Sequence, residues 1–480
     1  MKFRLRGKVF NKLGSLMDYL LGPICFAIVL FALWPICGYK QAAALGIAVW
    51  MGIWWVMRPV NIAVTALLPI PLNACLNLVP MPGIIANYFA EIVVLLLGSD
   101  LICMTWETTG LDKRMALRTL CYVGASVKQQ IMVWLFASTF LSAVLPNVVV
   151  VAIMVPVAVA MLRFLGEEYI SRSRLAAPIL LAIVWGAGIG GFGSPLGGAA
   201  NLVAIRYIEQ LTGKEFMYGQ WLIRFVPMLL IVLLLNLWVL WRLPLSVRRL
   251  NGTHDYFLNM YHDLGPMSKG EKQGLTLFVL AMVLAFIRPL YADIFPLMKP
   301  AYVFFTLGMI TFFLKDEHGQ DLNNWTHAER TVMWGMLFLF AGGLALGKLI
   351  TQTGAAATIA GAITMLPLTG GLETMVVFTA FSALLSEISS NTGAAAIAVP
   401  VVLSTTEHMG LNPVPFLLAS IVGFNCAYIF PVSVRAIGVS YGLNPNALLK
   451  NGVLLALLTI IVVSAVSYGL MLVWPAFNSL

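Results

Sequence analysis

The sequence predicts an all-α membrane protein with about eleven transmembrane helices and two re-entrant helical hairpins, arranged as an inverted-topology repeat. Three observations predict it. Apolar residues make up 60% of the 480 positions and charged residues only 10%. A soluble domain is nearer half apolar and a quarter charged, so lipid must cover the surplus. Apolar runs long enough to cross ~30 Å of hydrocarbon recur along the whole chain. Two further apolar stretches are interrupted near their middles by polar or helix-breaking residues, which reads as two half-length helices meeting at a tip.

Taken in order, residues 1–20 form a cytoplasmic N-terminal segment carrying Lys2, Arg4, Arg6, Lys8 and Lys12. The first apolar run follows without a convincing cleavage site and is read as an uncleaved span. The expected crossings are 21–37, 42–58, 61–80, 88–108, 176–192, 220–242, 273–291, 300–314, 331–350, 413–430 and 449–474. The interrupted stretches are 129–162, broken at Leu145-Pro146-Asn147, and 371–407, broken at Ser389-Ser390-Asn391-Thr392-Gly393.

Charge orients this layout. With the N-terminus inside, the cytoplasmic loops hold Arg58, Lys113, Arg114, Arg118, Lys128, Arg163, Arg172, Arg174, Arg242, Arg248, Arg249, Lys269, Lys272 and Lys450. The loops at 80–90 and 351–372, expected outside, hold no basic residue. This satisfies the positive-inside rule and puts the C-terminus outside. It also accounts for the net charge of +9. No basic stripe is interleaved with exposed aromatics, so nucleic-acid binding is excluded.

The two halves repeat. Gly98 and Gly342, Gly110 and Gly354, Ser142 and Ser386, Asn147 and Asn391, and Pro156 and Pro400 are each 244 residues apart. An odd number of crossings per repeat inverts the second copy, and the site then lies near the midplane between the broken elements. The expected domains are scaffold helices at 21–87, a first repeat core at 88–243 (hairpin 129–162, broken helix 176–205) and a cytoplasmic connection at 244–272. More scaffold follows at 273–330, then a second repeat core at 331–480 (hairpin 371–407, broken helix 413–442).

The six cysteines form no CxxC pair and the five histidines no HExxH spacing, so neither a zinc site nor a catalytic constellation is expected. The chain is read as a carrier, not an enzyme; a membrane enzyme or a channel is the different-class alternative, and the paired hairpins favour a gated, alternating site over a channel.

A transported anion must be held by unwound backbone and by helix N-termini, whose dipoles favour negative charge. Each hairpin tip is a helix break with Asn at its apex, and the second adds Ser390 and Thr392, which can hydrogen-bond a carboxylate. A second pair of breaks follows, at Gly190–Asn201 and Phe430–Ala436. Arg435 lies deep in an apolar run with no acid adjacent to it in sequence. A charge there costs at least ~2.5–3.5 kcal/mol and marks a pathway or a counter-ion. Asp100 and Lys348 are also intramembrane and are read as packing or interface groups.

These features resemble the divalent anion/sodium symporter family, which carries dicarboxylates, citrate and sulfate. The family's Ser-Asn-Thr tip motif stands intact as Ser390-Asn391-Thr392 and degenerate as Pro146-Asn147-Val148. Gly193–Asn201 (GSPLGGAAN) resembles the family's loop after the first hairpin, and Leu264–Ser268 with Glu271-Lys272 is similar to its cytoplasmic stretch. The resemblance implies a homodimer in lipid, with a scaffold and a mobile transport domain working as an elevator. It implies a substrate site of Asn147, Val148, Ser194, Gly198, Ser390, Asn391, Thr392, Ser433 and Arg435. Ser142, Gly193 and Ser386 match cation-site positions. The departures are Pro146 and Val148 at the first tip, and Arg435 where the family has proline. Arg435 is expected to act as a built-in, uncompensated cation near a former sodium site. That favours sodium-independent exchange of C4–C5 dicarboxylates such as malate, succinate or 2-oxoglutarate. Sodium-coupled dicarboxylate or sulfate symport is the alternative. No cofactor is expected beyond sodium in that case.

Overall fold

The computed structural model describes residues 2–122, 124–250, 252–363 and 368–479. Among them every extended element is helical, and β pairing is limited to two isolated bridges, Ser126 with Arg249 and Lys315 with Asp321. The principal helices are α1 (Lys2–Cys37), α2 (Tyr39–Met57), α3 (Glu91–Thr109), α4 (Val127–Ser142), α5 (Asn147–Phe164), α6 (Ala176–Gly190), α7 (Ala199–Thr212) and α8 (Tyr218–Trp241). They continue as α9 (Lys269–Phe286), α10 (Pro300–Ile310), α11 (Trp334–Gln352), α12 (Leu372–Ile388), α13 (Asn391–His408), α14 (Pro413–Asn425), α15 (Val434–Ser440) and α16 (Pro445–Val473). Both interrupted stretches fold as helix pairs, α4–α5 and α12–α13. Both later breaks separate two helices, α6 from α7 and α14 from α15.

Among the described residues six helical stretches are long and apolar enough to span a bilayer, and several expected crossings are shorter or split. The run 61–80 is not one helix. It divides into Ile62–Leu67 and Pro69–Leu76, then stops at Asn77 with φ 49°. Pro69 has no N–H to continue the ladder, and a left-handed residue ends it. The run 300–314 is helical only to Ile310.

The buried apolar residues among those described form two clusters. One contains both hairpins, α6 to α8, and residues 277–307, which the sequence had placed with the scaffold. The other gathers α2, the short helices after it and most of the buried face of α11. The seam between these clusters frames both cavities described below.

The constant offset between glycines has a packing cause. A Cβ at Gly98 would strike the backbone of Phe304 and Phe305 in α10, and one at Gly342 would strike the backbone of Ala66. Each glycine lets a neighbouring helix cross its own at backbone contact. Gly342→Val is therefore expected to cost about 1–3 kcal/mol or more through overpacking. Size-exclusion profiles and melting of the purified protein would show it, with Gly469→Val, whose Cβ meets nothing within 4 Å among the described residues, as the comparison.

On the basic face, Arg114 of the helix Leu111–Leu120 locks the connection to α9. Its Nε donates to Glu271 Oε1 at 2.6 Å and its Nη atoms donate to the carbonyls of Leu264 and Gly265. Glu271 in turn closes a capping box with Ser268 at the start of α9. The stretch 264–272 is thus a docked helix cap.

Candidate functional site

The two hairpin tips meet at one cavity of about 380 Å³. The N-termini of α5 and α13 face it through Asn147 and Val148 on one side and Ser390, Asn391 and Thr392 on the other. The first N–H groups of a helix have no intrahelical partner and carry the positive end of its dipole. Two such ends converging on one space make a site for an anion. Pro146, with φ −54°, starts α5 without a side-chain cap, whereas Ser390 caps α13 by accepting from Gly393 N at 3.1 Å. The missing hydroxyl at the first tip leaves that helix end with fewer internal partners.

Behind the tips the halves match atom for atom. Ser142 Oγ lies 2.7 Å from Asn147 Oδ1 and 2.8 Å from the Ala187 carbonyl. Ser386 Oγ lies 2.9 Å from Asn391 Oδ1 and 2.6 Å from the Phe424 carbonyl. Each contact fixes its asparagine carbonyl backwards, so that neither amide nitrogen has a protein partner among the described residues. Both are free to donate to a ligand. A hydroxyl has one proton and here meets two acceptors. Each trio of hydroxyl, amide and carbonyl oxygens therefore also suits a monovalent cation. Among the described residues no cluster of His, Cys, Asp or Glu could hold a metal ion.

Helices outside the hairpins close the cavity. Trp55 at the end of α2 and Met333, Met336 and Phe340 at the start of α11 line it, as do Ser99, Asp100 and Cys103 of α3. A Cβ on Gly393 would stand 3.2 Å from the Trp55 ring, so the glycine lets the second tip lie flat on that tryptophan.

The breaks after the hairpins complete the site. Gly198 and Ser433 line the cavity. Ser194, expected in the substrate site, does not line it; it donates to the Ala143 carbonyl and accepts from Gly197 N, so it ties the loop to the first hairpin. Gly193 packs against Ala143 and does not line the cavity. Asn201 donates to the carbonyls of Gly191 and Ser194 at 2.7 and 2.9 Å, and Asn425 donates to Asn201 at 2.8 Å, joining the two breaks.

Arg435 is placed differently from the sequence expectation. Ser433, Val434, Ala436 and Ile437 line the cavity, but Arg435 does not. It is 2% exposed, donates to the carbonyls of Phe430 and Ala427, and faces Glu387 with Nη2 3.7 Å from Oε2. Glu387 accepts from the N–H groups of Tyr428, Ile429 and Phe430. The expectation of an uncompensated charge is thus corrected. Glu387 is 48 residues away in sequence, and the fold of α12 beside α14 brings it to the guanidinium. The second break is an irregular loop held by an internal ion pair, with a guanidinium filling its carbonyls.

Ser433 has φ 57° and ψ −131°, a region that suits glycine. Ser433→Gly is expected to raise stability by about 1 kcal/mol through relief of this strain. Melting in detergent measures it, and unchanged or lower stability would show that the loop does not carry the strain.

Sequence reasoning missed Glu387, Asn425 and Trp55. The first two were visible as an acid and an amide inside apolar runs; nothing in the sequence marked Trp55.

A family profile described as Citrate transporter matches residues 52–423. This chain belongs to that family. Relatives of this citrate transporter family chain include the sodium-dependent dicarboxylate transporter SdcS of Staphylococcus saprophyticus, 28% identical over 96% of this chain and 92% of that one. The transporter of the same name from Staphylococcus aureus is 25% identical, covering 89% and 85%. Among solved structures, the YdaH transporter of Alcanivorax borkumensis aligns with TM-score 0.54 at 13% identity, over 82% of this chain and 88% of that one. MtrF of Neisseria gonorrhoeae, from a class of antimetabolite efflux pumps, aligns with TM-score 0.54 at 14% identity. These two support the fold alone. The chain is a multi-pass membrane protein of a transporter family, and its family and relatives are transporters, not enzymes.

Proposed function

We propose that this chain carries C4–C5 dicarboxylates of the malate, succinate or 2-oxoglutarate type across the bacterial inner membrane by sodium-independent exchange. In this reading the hairpins move together as an elevator against scaffold helices in a homodimer, with the N-terminus cytoplasmic and the C-terminus outside. One carboxylate meets Asn147 and the N-terminus of α5. The other meets Ser390, Asn391, Thr392 and the N-terminus of α13. Gly198 and Ser433 shape the walls.

The observation that carries the reading is the pair of helix N-termini with unpartnered asparagine amides on one cavity. Each helix end is equivalent to roughly half a positive charge. Sliding both, with their bare donors, past an apolar scaffold is unfavourable without an anion between them, which favours loaded movement in each direction. Arg435 adds to this. The carbonyls of Ala427 and Phe430 are already met by a guanidinium, so that loop needs no ion to hold its shape. Because Glu387 neutralises Arg435, the coupling no longer rests on a dragged positive charge.

Sodium-coupled symport is the second reading. It is favoured by the oxygen trios at Ser142 and Ser386 and by the sodium dependence in the relatives' names. Proteoliposomes separate the two. Exchange predicts rapid uptake of labelled succinate into succinate-loaded vesicles in choline medium and little into empty ones. Fast sodium-driven uptake into empty vesicles would establish symport instead.

A further inference from the structure

The seam between the two buried clusters holds a second cavity, also of about 380 Å³. It is lined by Arg206, Tyr207 and Gln210 of α7, Lys348 and Thr351 of α11, and Glu407 of α13. Phe340 is the last residue of α11 on the first cavity, and Lys348 lies eight residues further along the same helix. At 1.5 Å per residue the two stations are about 12 Å apart along α11. On α13 the tip lies at Asn391 and Glu407 near the far end. The second cavity therefore sits beyond the tips, on the face opposite Arg58 and Met333.

Its charge is unbalanced. Arg206 and Lys348 against Glu407 leave a formal +1, and neither cation takes part in an ion pair among the described residues. Arg206 Nη1 is buried with no hydrogen-bond partner. A buried guanidinium N–H without an acceptor is costly, and two unpaired cations on one cavity repel. A dianion relieves both. Arg206 offers the planar fork that suits a carboxylate, and Lys348 offers a point charge for a second one.

We infer that this cavity is an anion vestibule, in which Arg206 and Lys348 collect the dicarboxylate on the face opposite Arg58 before it reaches the hairpin tips. The inference rests on the dicarboxylate reading above. Arg206 lies on α7, whose buried residues pack in the cluster with both hairpins, and Lys348 on α11, most of whose buried face packs in the other, so the vestibule is assembled across that seam. A cleft of one sign raises the local concentration of its ligand and loses that effect as salt screens it. Glu407, exposed at the same cavity, opposes the two cations and tunes the attraction.

The test is initial-rate uptake of labelled succinate in right-side-out and inverted membrane vesicles, at low and high ionic strength, for R206Q, K348M and E407Q. R206Q and K348M are expected to raise KM about three- to tenfold from the vestibule face relative to the other face. They should also flatten its rise with salt. E407Q should lower KM from that face, and it carries the test if R206Q fails to fold. Equal shifts at both faces, or no shift in any variant, overturn the vestibule. A shift seen only with anionic lipid present also overturns it and assigns the cavity to a phosphate headgroup. Wild-type protein that takes up no succinate from either face overturns the dicarboxylate reading together with the vestibule. Wild-type uptake with side-independent variants overturns the vestibule alone.

Discussion

Glu387→Ala is expected to destabilise the folded transporter by about 3–5 kcal/mol and to abolish transport. The substitution leaves Arg435 buried at 2% exposure with no counter-charge, and it strips the N–H groups of Tyr428, Ile429 and Phe430 of their acceptor. Breaking a buried pair from one side is far worse than removing both charges, because the remaining charge stays desolvated. Arg435→Ala should cost less, since Glu387 keeps its three backbone donors. The double variant should recover part of the loss. Thermal melting in detergent with a double-mutant cycle reads the coupling. A cycle with no coupling, or an Arg435 variant harsher than the Glu387 variant, would show that the loop is not built on this pair. Succinate affinity adds a second readout. Arg435 stands behind the lining, so it should change affinity only through the loop.

Asn391→Ala is expected to weaken dicarboxylate binding about 10- to 100-fold, as for a lost hydrogen bond to a charged group. It removes the amide donor and leaves Ser386 without that acceptor. Asn147→Ala should have a comparable effect, because Ser142 holds it in the matching way at 2.7 Å. Titration calorimetry on the purified protein measures both. Equal affinity in the wild type and either variant would remove that tip from the site. The first tip can also be improved. Val148→Thr restores a hydroxyl at the position of Thr392, and tighter binding in that variant would show that the degenerate tip limits affinity.

The broken elements were legible because interruptions inside apolar runs are local events. Pro146 and Ser389-Ser390 end helices by their own backbone chemistry, and both hairpins follow from that. The split of 61–80 was less legible, although Pro69 and Asn77 mark it, because mean hydropathy over the run hides where the ladder stops. The tip residues Asn147 and Asn391 were found by the constant offset, and Gly98 and Gly342 by the same offset, with a packing role the sequence does not state. Glu387 stands 48 residues from Arg435, so no residue near the arginine in sequence marks its partner.

By itself the sequence determined that this chain lies in a membrane, that its two halves repeat, and that each half breaks a helix at an asparagine. These follow from hydropathy, repetition and backbone chemistry, all carried by the residues themselves. Only the tertiary structure decided that both tips share one cavity, that Trp55 lines it, and that Arg435 is neutralised by an acid on another helix. Those depend on which surfaces meet when separate helices pack, and distance in space between such residues is not written in their spacing along the chain.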